Sequence, residues 1–205
     1  MIRALAFFGA FNPPTTAHLA LARYALEATG REQVVFVPSR TAYIRDEQGK
    51  DRAYTDAVRV AMLRAAAARR PWMTVTDWEI RLDRQPRTWE TLRHLKDEEG
   101  VDASLLLGSD KLPELEHGWL YVREIAEEFG IVCLSRGGDD CGRMIREDGF
   151  LSRLSPYIRV LDTPEETRNV SSSRVRALLA RGEDGEAQKL VPEEVFELLK
   201  AERGE

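Results

Sequence analysis

Short apolar runs alternate with stretches of helical spacing along the chain, and this alternation restricts the fold more than any other feature. The runs are Leu5 to Phe8, Val34 to Val37, Ser104 to Leu107, Ile131 to Leu134 and Tyr157 to Leu161. Their length and near-continuous apolar character are those of strands buried on both faces. Between them, helical spacing runs over Ala17 to Ala28, Tyr54 to Ala68, Thr88 to Glu98, Leu120 to Phe129 and Ser173 to Ala180. Strands separated by helices pair in parallel, and right-handed crossovers place the helices on both faces. The pattern therefore predicts an α/β fold with a doubly wound, mostly parallel sheet. Ligands in such a sheet bind beyond the carboxyl ends of the strands.

Two stretches lack either period: Arg40 to Ala53, rich in charge, and Arg136 to Gly142. They are read as loops on that working edge. A closing helix is expected from Val191 to Ala201, with Pro192 at its start and Glu193 and Glu194 in its first turn, where carboxylates complement the helix dipole. With 205 residues and 43% apolar content, the chain can bury one substantial core, and no repeat or composition shift calls for a second.

Composition also removes function classes. A net charge of −5 gives no broad basic field, so no nucleic-acid partner is expected and small anionic ligands fit better. Cys133 and Cys141 match neither a zinc spacing nor a disulfide framework, no protein-held metal is expected, and a reducing cytoplasm is the expected location. No run of about eighteen apolar residues calls for a membrane span. Oligomeric state is left open, a homo-oligomer included.

The most informative local stretch is GAFNPPTTAH, residues 9 to 18. Gly9 follows the first strand, where a missing side chain lets backbone turn and phosphate approach. Pro13 and Pro14 then stiffen the connection. Thr15 or Thr16 caps the helix that follows, whose free N–H groups form an anion site, and His18 falls in its first turn. A histidine there can donate to a phosphate oxygen and hold it more strongly as charge grows. On the other side, His18 shares a helical face with Ala22 and Ala25, so this stretch alone leaves a packed core histidine equally open. The stretch has neither a dinucleotide fingerprint nor the ending of a P-loop. Near the other end, Ser171-Ser172-Ser173 precede a helix carrying Arg174 and Arg176, which could fork onto phosphates. Two phosphate-suited helix starts in one sheet protein suggest a triphosphate held from both sides.

With these two motifs, the sequence resembles the nucleotidyltransferases that carry (H/T)-x-G-H after the first strand and I-S-S-T-x-I-R near the C-terminus. More narrowly it resembles the nicotinamide and nicotinic acid mononucleotide adenylyltransferases, through GAFNPPTTAH, VPSRTAYIR, TDWEIRLDRQPRTWETLRHL, LLLGSDKL, GIVCLSRGG and VSSSRVRALLARGE in that order. Ala17 stands where the motif has glycine, and Ser173 where it has threonine. The resemblance implies a Rossmann-like nucleotidyltransferase fold, a single domain over residues 1–205 with a helical part from about residue 171. It also implies attack of the mononucleotide's phosphate on the α-phosphorus of ATP, giving NAD or deamido-NAD and pyrophosphate, with Mg²⁺ bound through the ATP phosphates. His18, Arg176 and Thr15 would be catalytic. Gly9, Ala10, Phe11, Ser172, Ser173, Gly108 and Asp110 would hold ATP, and Trp78, Trp119 and Arg45 the mononucleotide. A phosphopantetheine-type acceptor, and a sensor that binds nucleotide without turnover, are the competing functions.

Overall fold

The structure is a computed structural model that describes residues 1–46, 53–135, 138–163, 167 and 169–204. Residues 47–52 and 136–137, in the two stretches expected as loops, lie outside the described residues. The chain begins with β1 (Ile2–Gly9), α1 (Thr16–Thr29), β2 (Gln33–Pro38), α2 (Thr41–Asp46), α3 (Asp56–Ala68), β3 (Met73–Val75), α4 (Trp78–Arg81) and α5 (Thr88–Asp97). It continues through β4 (Val101–Gly108), a 3₁₀ turn over Ser109–Glu114, α6 (Leu115–Gly118), α7 (Val122–Phe129), β5 (Ile131–Leu134), α8 (Cys141–Glu147) and α9 (Gly149–Leu154). The last elements are β6 (Ile158–Leu161), α10 (Ser172–Ala180), α11 (Asp184–Gln188) and α12 (Glu193–Arg203).

The strands form one sheet in the order β3-β2-β1-β4-β5-β6, and every neighbouring pair is parallel. This is the doubly wound order, whose direction of winding reverses between β1 and β4. Ladder geometry sends alternate side chains to opposite faces. Leu5, Phe36, Leu106 and Val132 meet α1, α3, α10 and α12 on one face. Ala4, Ala6, Val35, Leu105 and Cys133 meet α5, α7, α8 and α9 on the other. Buried alternating positions fix the register, because a one-residue slip would turn both cores inside out. Each reversal of winding leaves a crevice at the strand ends, so this topology places the crevice above Gly9 and Gly108.

Three differences from the sequence reading concern elements too short to carry a period. Met73-Thr74-Val75 pairs with β2 as a three-residue edge strand. The stretch expected to be a loop from Arg40 begins with the six-residue α2. Leu120 and Tyr121 precede α7 rather than belonging to it, Tyr121 standing in the left-handed region at φ 62°. Among the described residues no helix is long and apolar enough to cross a membrane.

Candidate active site

A cavity of about 420 Å³ opens at the reversal point, where β1 and β4 end. Its floor is Gly9, Ala10, Phe11 and Asn12 on one side and Gly108 and Asp110 on the other. His18 reaches it from α1, and Ser171, Ser172, Ser173 and Arg176 reach it from the start of α10. The two helix starts, far apart in sequence, thus bring side chains to one space: His18 from α1, and Ser172, Ser173 and Arg176 from α10.

The geometry at His18 follows from capping. Thr15 is the N-cap residue, fully buried, and its Oγ1 accepts from the His18 backbone N–H at 3.3 Å. In return the Thr15 N–H donates to His18 Nδ1 at 3.0 Å. Because Nδ1 accepts a backbone proton, neutral His18 carries its own proton on Nε2. The ring also packs edge-on against Phe11, centroids 5.2 Å apart, and lies 6.2 Å from Phe7. His18 is therefore a packed residue and a cavity-lining residue at once, with its tautomer set by the cap. Thr15 lies behind it, outside the cavity lining.

Gly9 has a reason that the sequence does not display. A Cβ there would stand 3.1 Å from the tip of the Phe11 ring, and that ring is held by Phe7 at 5.5 Å and Phe36 at 5.3 Å. Phe11 itself takes φ 44°, a left-handed conformation uncommon for a bulky side chain. Gly9→Ala should lower stability by about 1–3 kcal/mol, the usual cost of overpacking, read as a lower melting temperature.

On α10 the cap is Ser171, whose Oγ accepts from Arg174 N–H. Ser172 Oγ donates to the Pro13 carbonyl at 2.8 Å, tying α10 to the β1–α1 loop. Arg176 Nη1 donates to the Asn12 carbonyl at 2.6 Å, and its Nη2 to Ser173 Oγ at 3.2 Å. Its guanidinium edge is thereby fixed at the cavity wall. Arg174 instead donates to the Asn169 carbonyl and lines no part of the cavity.

Of the residues expected near the mononucleotide, Trp119 lines the cavity, whereas Trp78 and Arg45 do not. Trp78 opens the short α4, and its ring stacks on His94 at 4.4 Å. Arg45 is exposed on α2 and donates to the Ala53 carbonyl at 3.3 Å. In their place the structure brings Tyr43, Glu79, Gln85, Arg87 and Thr88 to the cavity, from α2, α4, the segment before α5 and the first residue of α5. No local pattern marks them, because three loops distant from β1 must converge to make that wall.

Glu79 is 2% exposed, accepts from Thr91 Oγ1 at 2.7 Å, and takes a hydrogen bond from Gln85 Nε2. Burial outweighs both bonds and raises its pKa from 4.5 to about 7. The folded chain therefore holds a proton that the unfolded chain loses from about pH 4.5 upward. This contribution to stability is complete below the unfolded value and is lost as pH rises through about 7. Stability should fall from pH 5 to pH 8 by up to about 3 kcal/mol from this group. Glu79→Gln should flatten that slope in urea unfolding at the two pH values.

Comparison with known proteins agrees with this architecture. The cytidylyltransferase-like family model matches residues 6–178. A nicotinamide/nicotinic acid mononucleotide adenylyltransferase 2 of Caenorhabditis elegans is 31% identical over 196 residues, covering 86% of each chain. A Clostridium botulinum (strain Loch Maree / Type A3) protein named "Probable nicotinate-nucleotide adenylyltransferase" is 27% identical over 202 residues, covering 97% of this chain and 96% of that one. In fold, the chain superposes on Plasmodium falciparum nicotinic acid mononucleotide adenylyltransferase complexed with NaAD with a TM-score of 0.73 at 16% identity, covering 98% and 96% of the two chains. From the span of the family model and the identity to the nematode relative, the chain belongs to the cytidylyltransferase-like family and, within it, to the nicotinamide/nicotinic acid mononucleotide adenylyltransferases.

Proposed function

We propose that this protein transfers AMP from ATP to nicotinamide or nicotinic acid mononucleotide, giving NAD or deamido-NAD and pyrophosphate. The observation that carries the reading is the convergence of two helix N-termini, His18 and Arg176 on one cavity at the β1–β4 reversal. ATP would lie with its phosphates between α1 and α10. Gly9, Ala10 and Phe11 would pass beside it, with Gly108 and Asp110 on the opposite wall. His18 Nε2–H would donate to a phosphate oxygen that gains charge as the new bond forms. Arg176, steadied by Asn12 and Ser173, would hold the β- and γ-phosphates, with Ser172 and Ser173 beside them at the helix start. Thr15 would act through His18, by holding its ring and tautomer. Trp119 would offer its face to the pyridine ring.

No covalent enzyme intermediate is needed. The mononucleotide's phosphate oxygen forms a bond to the α-phosphorus while the bond to the bridging oxygen of pyrophosphate breaks. Alignment of two anions, and donors already fixed where charge develops, supply the acceleration. Mg²⁺ bound through the phosphates would neutralise part of that charge. Trp78 and Arg45, as placed, would reach the mononucleotide only if α2 and α4 moved, and Tyr43, Arg87 and Thr88 are the better placed partners. We take residues 1–205 as a single nucleotidyltransferase unit whose part from about 171 is helical, since α10 and α12 pack into the same core as β1 and α1.

Incubation with ATP, Mg²⁺ and each of nicotinamide mononucleotide, nicotinic acid mononucleotide and phosphopantetheine, with product identified by mass, tests the reading. A dinucleotide from a pyridine mononucleotide is expected. Turnover of phosphopantetheine alone, or ATP binding with no product, would overturn it.

A further inference from the structure

Arg59 lies on α3, is fully buried, and is absent from the cavity lining. Its Nη1 donates to the Ala10 carbonyl at 2.7 Å. Its Nη2 reaches the Ser39 carbonyl at 2.5 Å, Asp56 Oδ1 at 2.6 Å and Thr41 Oγ1 at 3.1 Å, and Nε reaches the Tyr54 carbonyl at 3.3 Å. Asp56 Oδ1 also accepts the N–H and hydroxyl of Thr41, at 2.6 and 2.7 Å, where α2 begins. One guanidinium thus joins the β1–α1 loop, the end of β2 and the start of α2.

From this geometry we propose that Arg59 is a positioning residue for the transfer reaction: it sets the spacing between the Gly9–Asn12 loop and the Tyr43-bearing α2, and so the width of the nucleotide cleft. The inference rests on the adenylyl-transfer reading. Three observations support a role beyond ordinary packing. Burying a guanidinium costs several kcal/mol even when it is paired, and well-packed apolar residues often serve stability as well. Here the fork pairs with Asp56 and is also directed at carbonyls of two cavity-lining residues, Ala10 and Ser39, which the ion pair alone does not require. The network also continues toward α10: Tyr54 N–H donates to Asn12 Oδ1 at 2.9 Å, and the Asn12 carbonyl receives Arg176. A planar fork with several fixed donors can bridge these loops, and a lysine ammonium cannot reproduce that geometry.

Arg59→Lys keeps the charge and loses the fork. Measured at a temperature where the variant is folded by circular dichroism, it should raise KM for ATP about tenfold and lower kcat about 10²-fold, the scale of a small misplacement. KM for the mononucleotide should move less. Arg70→Gln is the stability control, because Arg70 pairs with Glu194 on α12 and lines no part of the cavity. That variant should melt lower yet keep both kinetic constants. Calorimetric ATP affinity is a readout independent of turnover, and Arg59→Lys should weaken it about tenfold. If the wild type binds ATP but makes no dinucleotide, the functional reading fails while this comparison still tests the spacing. If Arg59→Lys does not fold, Asp56→Asn, which removes the partner shared by Arg59 and Thr41, takes its place with the same expected split. Wild-type KM, kcat and ATP affinity in the folded variant would overturn the proposal.

Discussion

Replacing His18 by alanine lowers kcat by about 10²–10³-fold, the loss seen when one donor to a developing negative charge is removed from a preorganised site. The expectation rests on the ring's fixed state: the Thr15 N–H occupies Nδ1, which keeps the proton on Nε2. Alanine also removes half of the reciprocal cap on α1, costing about 1 kcal/mol of stability. His18→Gln separates the two effects. A glutamine at the third helical position can still accept from the Thr15 N–H, as in the usual capping box, but offers no ring N–H on the far side. Its melting temperature should recover toward wild type while kcat stays low. Equal recovery of both would mean that His18 acts only as a cap.

Arg176→Ala is expected to have the second largest effect, lowering kcat/KM for ATP by about 10–10²-fold, as for loss of a charge-assisted hydrogen bond. Half-buried at the cavity wall, Arg176 is held by the Asn12 carbonyl and Ser173 Oγ, and burial pulls its pKa down. A guanidinium fixed at the cavity wall by a carbonyl and a hydroxyl suits an anionic ligand. Arg176→Lys should recover part of the ATP affinity through its charge but not the fork geometry. Steady-state kinetics with ATP varied and the mononucleotide saturating reads both variants, and an unchanged kcat/KM for Arg176→Ala would remove this residue from the phosphate site.

The sheet was legible because β1, β2 and β5 carry four or more consecutive apolar residues, β4 and β6 carry shorter apolar runs, and the crossover helices bury one clear face. β3 was not, since three residues cannot display a period and its pairing with β2 depends on a neighbour distant in sequence. At the cavity, the residues that were readable lie at helix starts or strand ends: His18, Ser172, Ser173, Arg176, Gly9, Gly108 and Asp110 all line it. There, capping chemistry and topology act locally and leave a mark in the sequence. Trp78 was read by its residue type, yet one turn of helix decides whether a ring faces the cavity or stacks on His94. Glu79 was hidden for the opposite reason. A lone glutamate beside a tryptophan looks solvated until Thr91 and Gln85 close over it. Arg59 likewise looks like an exposed helix residue in sequence, and only the meeting of three loops makes it buried.

The central claim is most directly tested with ATP labelled at the α-phosphorus, Mg²⁺ and a pyridine mononucleotide, following label and pyrophosphate together in wild type and His18→Ala. The label should appear in the dinucleotide with one pyrophosphate released per molecule formed, and both should fall about 10²–10³-fold in the variant. Pyrophosphate without labelled dinucleotide, or equal rates in the two proteins, would contradict the account.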